Sequence, residues 1–178
     1  MDAATFDTFY QTSSGRLVGQ ISAMCGNITE AQDCVQEAFV RAWDKRRSLS
    51  HDASPEAWVR TVAYRLGVSR WRRTKQVAKL ADRSRHRSDP YIPDVEHVAL
   101  ARALAELPAD QRRAIVLHHL CDLSVADVAR EVGAPVGTVK ARLSRGRHAL
   151  AVLLTDTGDD APTPTPNSFP TQHPGARR

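Results

Sequence analysis

A chain of 178 residues with 42% apolar content has room for one domain or two small ones, and this content excludes a wholly disordered protein. A net charge of +5 and a pI near 9.5 favour a polyanionic partner such as nucleic acid. The first residues show no signal-peptide pattern and no apolar run reaches about 18 residues, so we expect a cytoplasmic protein without membrane insertion.

Patterns typical of enzyme and metal sites are missing from the sequence. There is no glycine-rich phosphate loop, zinc-protease motif, nucleophile elbow or pair of catalytic carboxylates. Three cysteines, an odd number, have no metal spacing, which is typical of reduced thiols. His118 and His119 are adjacent, so on a helix they point about 100° apart and are poorly placed to share a metal. We therefore expect no catalytic activity, no metal and no cofactor.

Two amphipathic helices are predicted at the N-terminus. Apolar residues at helical spacing place the first at 4–24, and Thr29 is expected to cap a second that runs to about Lys45. The second helix has an apolar stripe through Ala31, Cys34/Val35, Ala38/Phe39 and Ala42. Its opposite face, here called the acidic face, groups Asp33, Gln36, Glu37 and Val40. Such a face is usually only solvated, but on a basic protein it is also suited to docking a protein partner.

A polar loop is predicted at 46–53, and the sequence Ser54-Pro55-Glu56 is a strong helix start. The helix that follows is expected to turn Trp58, Val62 and Leu66 inward. Its outer face interleaves cations with the aromatic residues Tyr64 and Trp71, a combination that suits a single-stranded backbone with stacked bases. The cations predicted to be exposed are Arg60, Arg65, Arg70, Arg72, Arg73 and Lys75.

Two segments lack the apolar periodicity of a folded element. Residues 77–93 are polar, basic and end in prolines, which predicts a flexible linker, and residues 155–178 form a Pro/Thr-rich tail that we expect to be disordered. Between them, helices resume at 94–106 and after Pro108, with Ile115, Val116, Leu120 and Leu123 facing inward. The sequence thus predicts an all-α protein with two small helical domains, 4–76 and 94–154.

The most specific pattern is a helix-turn-helix between residues 124 and 150. Ser124 can cap a short helix with Asp127 in its first turn, Gly133 can end that helix, and Pro135 prevents its continuation. A second helix is expected from about Val136, with apolar residues at 139, 143 and 150 facing inward.

The outer face of that second helix is basic and lacks acids. Ala141 and Ser144 are short enough to allow close approach to base edges in the DNA major groove. The residues around them that can reach bases or phosphates are Thr138, Lys140, Arg142, Arg145 and Arg147. An ordinary antiparallel helix pair with a solvated basic face is the alternative interpretation.

These features together resemble the extracytoplasmic-function (ECF) group of the sigma-70 family of RNA polymerase sigma factors. The similar stretches are ITEAQDCVQEAFVRAWDK (28–45), SPEAWVRTVAYRLGVSRWRR (54–73) and ELPADQRRAIVLHHLCDLSVADVAREVGAPVGTVKARLSRGRHAL (106–150). The resemblance covers about residues 4–154 and implies that 4–76 is sigma region 2 and 94–154 is sigma region 4.

The resemblance also implies roles for particular residues. Region 2 would dock its acidic face on the β′ clamp helices of core RNA polymerase and hold the −10 promoter element, while region 4 would contact the β flap and read the −35 element through the basic helix face. The −10 residues implied are Ser50, His51, Asp52, Arg60, Tyr64, Arg65, Arg70, Trp71, Arg72 and Arg73. Members of the group often have Asn at the position of Arg65, which leaves the −10 sequence open.

Three other interpretations remain. A stand-alone helix-turn-helix regulator would bind palindromic DNA as a dimer, and it gives the acidic face no purpose. A nucleic-acid-processing enzyme would need a carboxylate cluster for a metal, and a passive basic scaffold leaves the helix-turn-helix unexplained. Regulation by an anti-sigma factor is common in the family, although nothing in the sequence identifies one.

Overall fold

The computed structural model describes residues 1–49, 54–80 and 95–156, with side chains described for 1–49, 54–70 and 99–155. In these ranges all regular structure is helical, which confirms the predicted all-α class. A π-helical turn at Val116–Leu120 follows the sixth helix. The helices are α1 (Ala3–Cys25), α2 (Ile28–Asp44), α3 (Arg46–Leu49), α4 (Pro55–Leu80), α5 (Val95–Glu106), α6 (Ala109–Ile115), α7 (Val125–Val132) and α8 (Val136–Asp156).

The first two helices form a hairpin with defined caps. Asp2 accepts a hydrogen bond from the Thr5 amide (2.8 Å) at the start of α1, and Gly26 ends the helix in the left-handed conformation (φ 79°). The side chain of Asn27 then caps α2 by accepting from the Glu30 amide (3.0 Å). The prediction of Thr29 as the cap was wrong, because the chain reverses at the αL residue Gly26, and α2 therefore begins two residues earlier than predicted, with Asn27 in extended backbone as its cap.

The N-terminal half, α1 to α4, has its core between α1, α2 and α4. The predicted apolar stripe of α2 is fully buried, and Leu17 and Ile21 of α1 pack against it. On α4 the predicted inward residues Trp58, Val62 and Leu66 are only half-buried, whereas Val59 and Ala63 are fully buried.

Small residues explain why Val59 and Ala63 of α4 face the core in place of Trp58, Val62 and Leu66. Val59, Ala63 and Gly67 recur every four residues, so they form one ridge that lets α4 approach its neighbours closely. A Cβ on Gly67 would lie 2.8 Å from Cys25 Sγ. The close approach fixes which side of α4 faces the core. The bulkier residues Trp58, Val62 and Leu66 therefore lie at the edge of the core.

The C-terminal half, α5 to α8, contains the helix-turn-helix. Ile115 and Val116 are buried as predicted, but Leu117 is fully buried and Leu120 is 44% exposed. The π-helical turn is the reason: the Cys121 amide donates to the Val116 carbonyl five residues back (3.1 Å), and this wider turn rotates the following residues out of helical phase. Helices α6 and α8 touch at Gly146, where a Cβ would lie 2.9 Å from Ile115 Cγ1.

Two predicted loops are partly helical. Residues 46–49 form α3 with Leu49 buried, and α4 extends to Leu80, four residues into the predicted linker. The remainder of that linker, residues 50–53 and the chain beyond Asp156 lie outside the described residues. None of the described helices has an apolar stretch long enough to cross a bilayer.

The two halves pack against each other through α1, which contacts α5, α6 and the π-helical turn. Their buried residues form one continuous apolar cluster that includes Leu17 from α1 and Leu117 from the π-helical turn. This packing brings side chains far apart in the sequence into contact along α4.

Candidate nucleic-acid interface

The helix-turn-helix adopts the predicted geometry. Ser124 Oγ accepts from the Asp127 amide (3.1 Å) and donates to Asp127 Oδ2 (2.6 Å), which forms the predicted cap. Gly133 is left-handed (φ 66°, ψ 40°) and ends α7. Val139 and Leu143 of α8 are buried, so the opposite face of α8 is turned outward.

The outer face of α8 is the basic surface that the sequence predicts. Its exposed members are Thr138, Lys140, Ala141, Ser144, Arg145 and Arg147. Arg142 is half-buried and pairs with Asp110 of α6 (Nη2 to Oδ2, 2.6 Å). Asp110 was not singled out from the sequence, since an acid in the first turn of a helix is common and gives no sign of a partner 32 residues away.

A histidine pair holds Arg147 at the end of this surface. Arg147 Nε donates to His119 Nε2 (3.3 Å), and His118 Nδ1 lies 2.7 Å from the Leu123 carbonyl oxygen. Burial, His118 and Arg147 together lower the pKa of His119, which favours the neutral ring that accepts this hydrogen bond. No group of three metal-ligating side chains occurs among the described residues.

The outer face of α4 differs from the prediction at Arg60. Its side chain is 5% exposed and forms a two-point ion pair with Glu131 of α7, Nε to Oε1 at 3.0 Å and Nη2 to Oε2 at 2.7 Å. The expectation that Arg60 is exposed was wrong, because the packing of the C-terminal half places Glu131 against α4. Burial lowers the pKa of Arg60 but the hydrogen bond and charge of Glu131 raise it, so that it ends above its ordinary value.

Tyr64 and Arg65, which follow Arg60 on α4, differ in exposure. Arg65 is exposed as predicted, whereas Tyr64 is half-buried beneath the guanidinium of Arg113, 4.0 Å from the ring centroid. Burial raises the pKa of the Tyr64 hydroxyl. Of the other predicted −10 residues, Ser50, His51 and Asp52 lie outside the described residues, as do the side chains of Trp71, Arg72 and Arg73.

Arg70 joins α4 to the acidic face of α2. It pairs with Glu37 (2.9 Å) and lies 3.7 Å from Asp33. Glu37 also accepts from Arg41 (2.5 Å), and these hydrogen bonds, with Arg41 as the largest cause, lower the pKa of Glu37. Arg70 is thus paired with the face predicted to bind polymerase, and its −10 role stays a prediction.

The acidic face itself is accessible. Asp33 and Gln36 are exposed, Glu37 is half-buried and the apolar side chain of Val40 is 64% exposed. A shallow groove between α1 and α2 runs beside this face. It is lined by Tyr10, Ser14, Gly15, Val18, Gln32, Asp33, Val35 and Gln36. An exposed valine among polar groups beside a groove is suited to contact with another protein.

Two family models match most of the folded chain. The model for Sigma-70 region 2 matches residues 9–77, and the model for Sigma-70, region 4 matches residues 97–150. These ranges cover most of α1–α4 and most of α5–α8, the helices in which the two candidate surfaces lie.

Two proteins with similar sequences are ECF RNA polymerase sigma factors. The ECF RNA polymerase sigma factor SigW of Bacillus subtilis is 33% identical over 149 residues, which cover 75% of this chain and 80% of SigW. The ECF sigma factor SigM of Mycobacterium tuberculosis is 31% identical over 162 residues, 86% of this chain and 79% of SigM.

A solved structure supports the fold. The sigma factor RpoE of Bartonella quintana, in complex with the anti-sigma factor NepR, aligns with a TM-score of 0.77 at 27% identity over 85% of this chain and 97% of that chain. On the evidence of its two matched regions and its sequence relatives, this chain belongs to the extracytoplasmic-function group of the sigma-70 RNA polymerase sigma factors.

Proposed function

We propose that this chain binds core RNA polymerase in the cytoplasm, directs it to promoters with a −35 and a −10 element, and helps to melt the DNA without being an enzyme. The observation that supports this most directly is the outer face of α8, where Lys140 and Arg145 flank the short residues Ala141 and Ser144 on the second helix of a helix-turn-helix. It provides the close approach and the positive charge that major-groove binding requires.

For the −35 element we propose a division of roles on α8. Lys140 and Arg145 are the base-reading candidates because they flank the short residues, and Thr138 and Arg147 at the edges of the surface suit phosphates. The Asp110 ion pair holds Arg142 at the inner edge, where it can turn towards the backbone of the duplex.

For the −10 element we propose that α4 and the loop before it hold unpaired bases. Arg65 is exposed for a phosphate, and the ring of Tyr64 offers a face on which a base can stack once Arg113 leaves it. Flipping a base costs a few kcal/mol, which such contacts offset. Ser50, His51, Asp52, Arg60, Arg70, Trp71, Arg72 and Arg73 belong to the same proposed surface.

The acidic face of α2 is the proposed polymerase-binding surface, docking on the β′ clamp helices while region 4 contacts the β flap. Asp33, Gln36, Glu37 and Val40 are accessible in the described structure, and Arg70 fixes two of the carboxylates in place. Since RpoE of Bartonella quintana forms a complex with an anti-sigma factor, we propose a protein of that type as a further partner.

Run-off transcription with purified core polymerase, this protein and a genomic DNA library tests the proposal. Starts that depend on the protein and share two short elements at fixed spacing are the expected result. A lack of dependent transcription, together with tight dimeric binding to palindromic duplexes, would instead establish a stand-alone regulator.

A further inference from the structure

The ion pair between Arg60 and Glu131 is the best-formed polar contact between the two halves. The residues are 71 positions apart, both side chains are more than nine-tenths buried, and two parallel N–H to O contacts at 3.0 and 2.7 Å join them. Such a two-point geometry is how a guanidinium also holds a phosphate. The Glu131 carboxylate therefore occupies the Arg60 donors that could otherwise hold a phosphate.

Besides Glu131 of α7, Arg60 contacts a residue of α1 and a residue of its own helix, α4. Gln20 of α1 accepts a long hydrogen bond from Arg60 Nη1 (3.5 Å), and Glu56 lies 3.7 Å from the same nitrogen. Glu56 is also paired with Arg16 of α1 (2.6 Å). The Arg60 guanidinium is thus fully engaged by protein groups while the halves are packed.

Arg113 makes a further contact between the halves. Its guanidinium covers the Tyr64 ring at 4.0 Å, and its Nη2 donates to the Glu131 carbonyl oxygen (3.4 Å). Within the described part of the chain its Nε is buried without a hydrogen-bond partner. An unsatisfied buried donor has a free-energy cost, so this contact stabilises the packed form less than a fully paired one would.

We propose that the packed arrangement is a self-masked form, in which Glu131 acts as an internal substitute for DNA phosphate on Arg60, and Arg113 covers Tyr64. This inference rests on the proposed role of α4 in holding the −10 strand. Arg60 cannot bind Glu131 and a DNA phosphate through the same donors, so the halves must separate before α4 engages DNA. Charge at residue 131 therefore shifts the fraction of molecules able to bind, together with the apolar contacts that α1 makes with the C-terminal half.

Glu131→Gln tests the masking in the full chain, since it removes the charge and keeps a similar shape. Small-angle X-ray scattering is expected to show a larger radius of gyration for this variant. If about one wild-type molecule in ten is open, full opening tightens binding about tenfold to a random single-stranded DNA of about 12 nucleotides. Asp7→Asn, which removes an exposed carboxylate on α1, is the charge-matched control and is expected to change neither measurement.

Two variants of Arg60 separate the masking from the DNA role of α4. Arg60→Ala is expected to open the chain without the gain in binding, and Arg60→Glu with Glu131→Arg is expected to restore compactness while binding stays weak. Circular dichroism melts verify that each variant folds.

Unchanged scattering and unchanged DNA binding for Glu131→Gln would overturn the masking, and so would an open chain with no gain in binding. Run-off transcription by the wild-type protein distinguishes the two proposals, since activity that Glu131→Gln does not alter would leave the proposed function standing and remove only the mask.

Discussion

At Gly146 the absence of a side chain decides how closely α8 packs on α6. A Cβ there would lie 2.9 Å from Ile115 Cγ1 and 3.3 Å from Cδ1, and Ile115 is itself buried. We predict that Gly146→Ala lowers the free energy of unfolding by about 1–3 kcal/mol, the usual cost of overpacking. Urea denaturation monitored by circular dichroism measures this change in the free energy of unfolding.

Gly19 is the matched control for Gly146, because it also lies inside a helix but has open space where a Cβ would stand. Gly19→Ala is expected to stabilise the protein by about 0.5–1 kcal/mol through helix propensity alone. Equal effects of the two substitutions would contradict the close-packing account of Gly146.

Two half-buried thiols, Cys25 and Cys121, are expected to make the stability of the protein sensitive to alkaline pH. Burial raises the pKa of Cys25, and also that of Cys121, from 9.0 to about 11 in each case. Their contribution to stability is therefore complete below pH 9 and is lost as the pH rises towards 11. We predict a decline in the free energy of unfolding across this window that is shallower in Cys25→Ala/Cys121→Ala, measured by urea titrations at each pH.

Other groups titrate in the same pH window, so the comparison between the two proteins is the informative quantity. Parallel pH profiles for the wild type and the double variant would show that the thiols do not cause the decline. The three cysteines are free in the structure, so no disulfide complicates the substitution.

Among the elements, α7 is a short helix of eight residues with a side-chain cap, so its stability should depend on that cap. Ser124 accepts from the Asp127 amide and orients the Asp127 carboxylate. We predict that Ser124→Ala lowers the free energy of unfolding by about 1 kcal/mol, the typical value for losing an N-cap. Thermal and urea denaturation provide the measurement.

Ser144→Ala serves as the control for this element, since it makes the same chemical change on the exposed face of α8. It is expected to alter stability by less than about 0.5 kcal/mol. If the two serine variants were equally stable, the capping role of Ser124 would be refuted.

For the whole molecule the two proposed surfaces predict separable functions. Arg145→Ala is expected to cost about 1–3 kcal/mol of promoter binding while binding to core polymerase stays intact. Asp33→Ala with Glu37→Ala is expected to do the reverse, because the acidic face lies on α2, away from the DNA surface of α8. Fluorescence anisotropy with labelled promoter DNA and pull-down with core polymerase measure the two functions.

Each of these variants is the other's control. Loss of both functions in both variants would contradict a division of labour between the acidic face and α8.

The sequence by itself determined most of the helices, the helix-turn-helix and both exposed surfaces. These features depend on local rules: apolar spacing, a serine cap and a left-handed glycine act within one or two turns. The accessibility of Asp33 and Arg145 follows from the helical phase alone. Local rules also explain why the family resemblance could be seen in short stretches of sequence.

Only the tertiary structure decided which polar side chains of α4 are buried and which residues they contact. Arg60 is buried against Glu131, Arg70 is drawn to the acidic face and Tyr64 lies beneath Arg113. Each partner is 33 or more positions away in the chain. The sequence around an arginine does not show whether its side chain faces water or pairs with a carboxylate from a distant part of the chain. Burial of a charge is decided by the packing of whole helices, which the periodicity of any one helix does not contain.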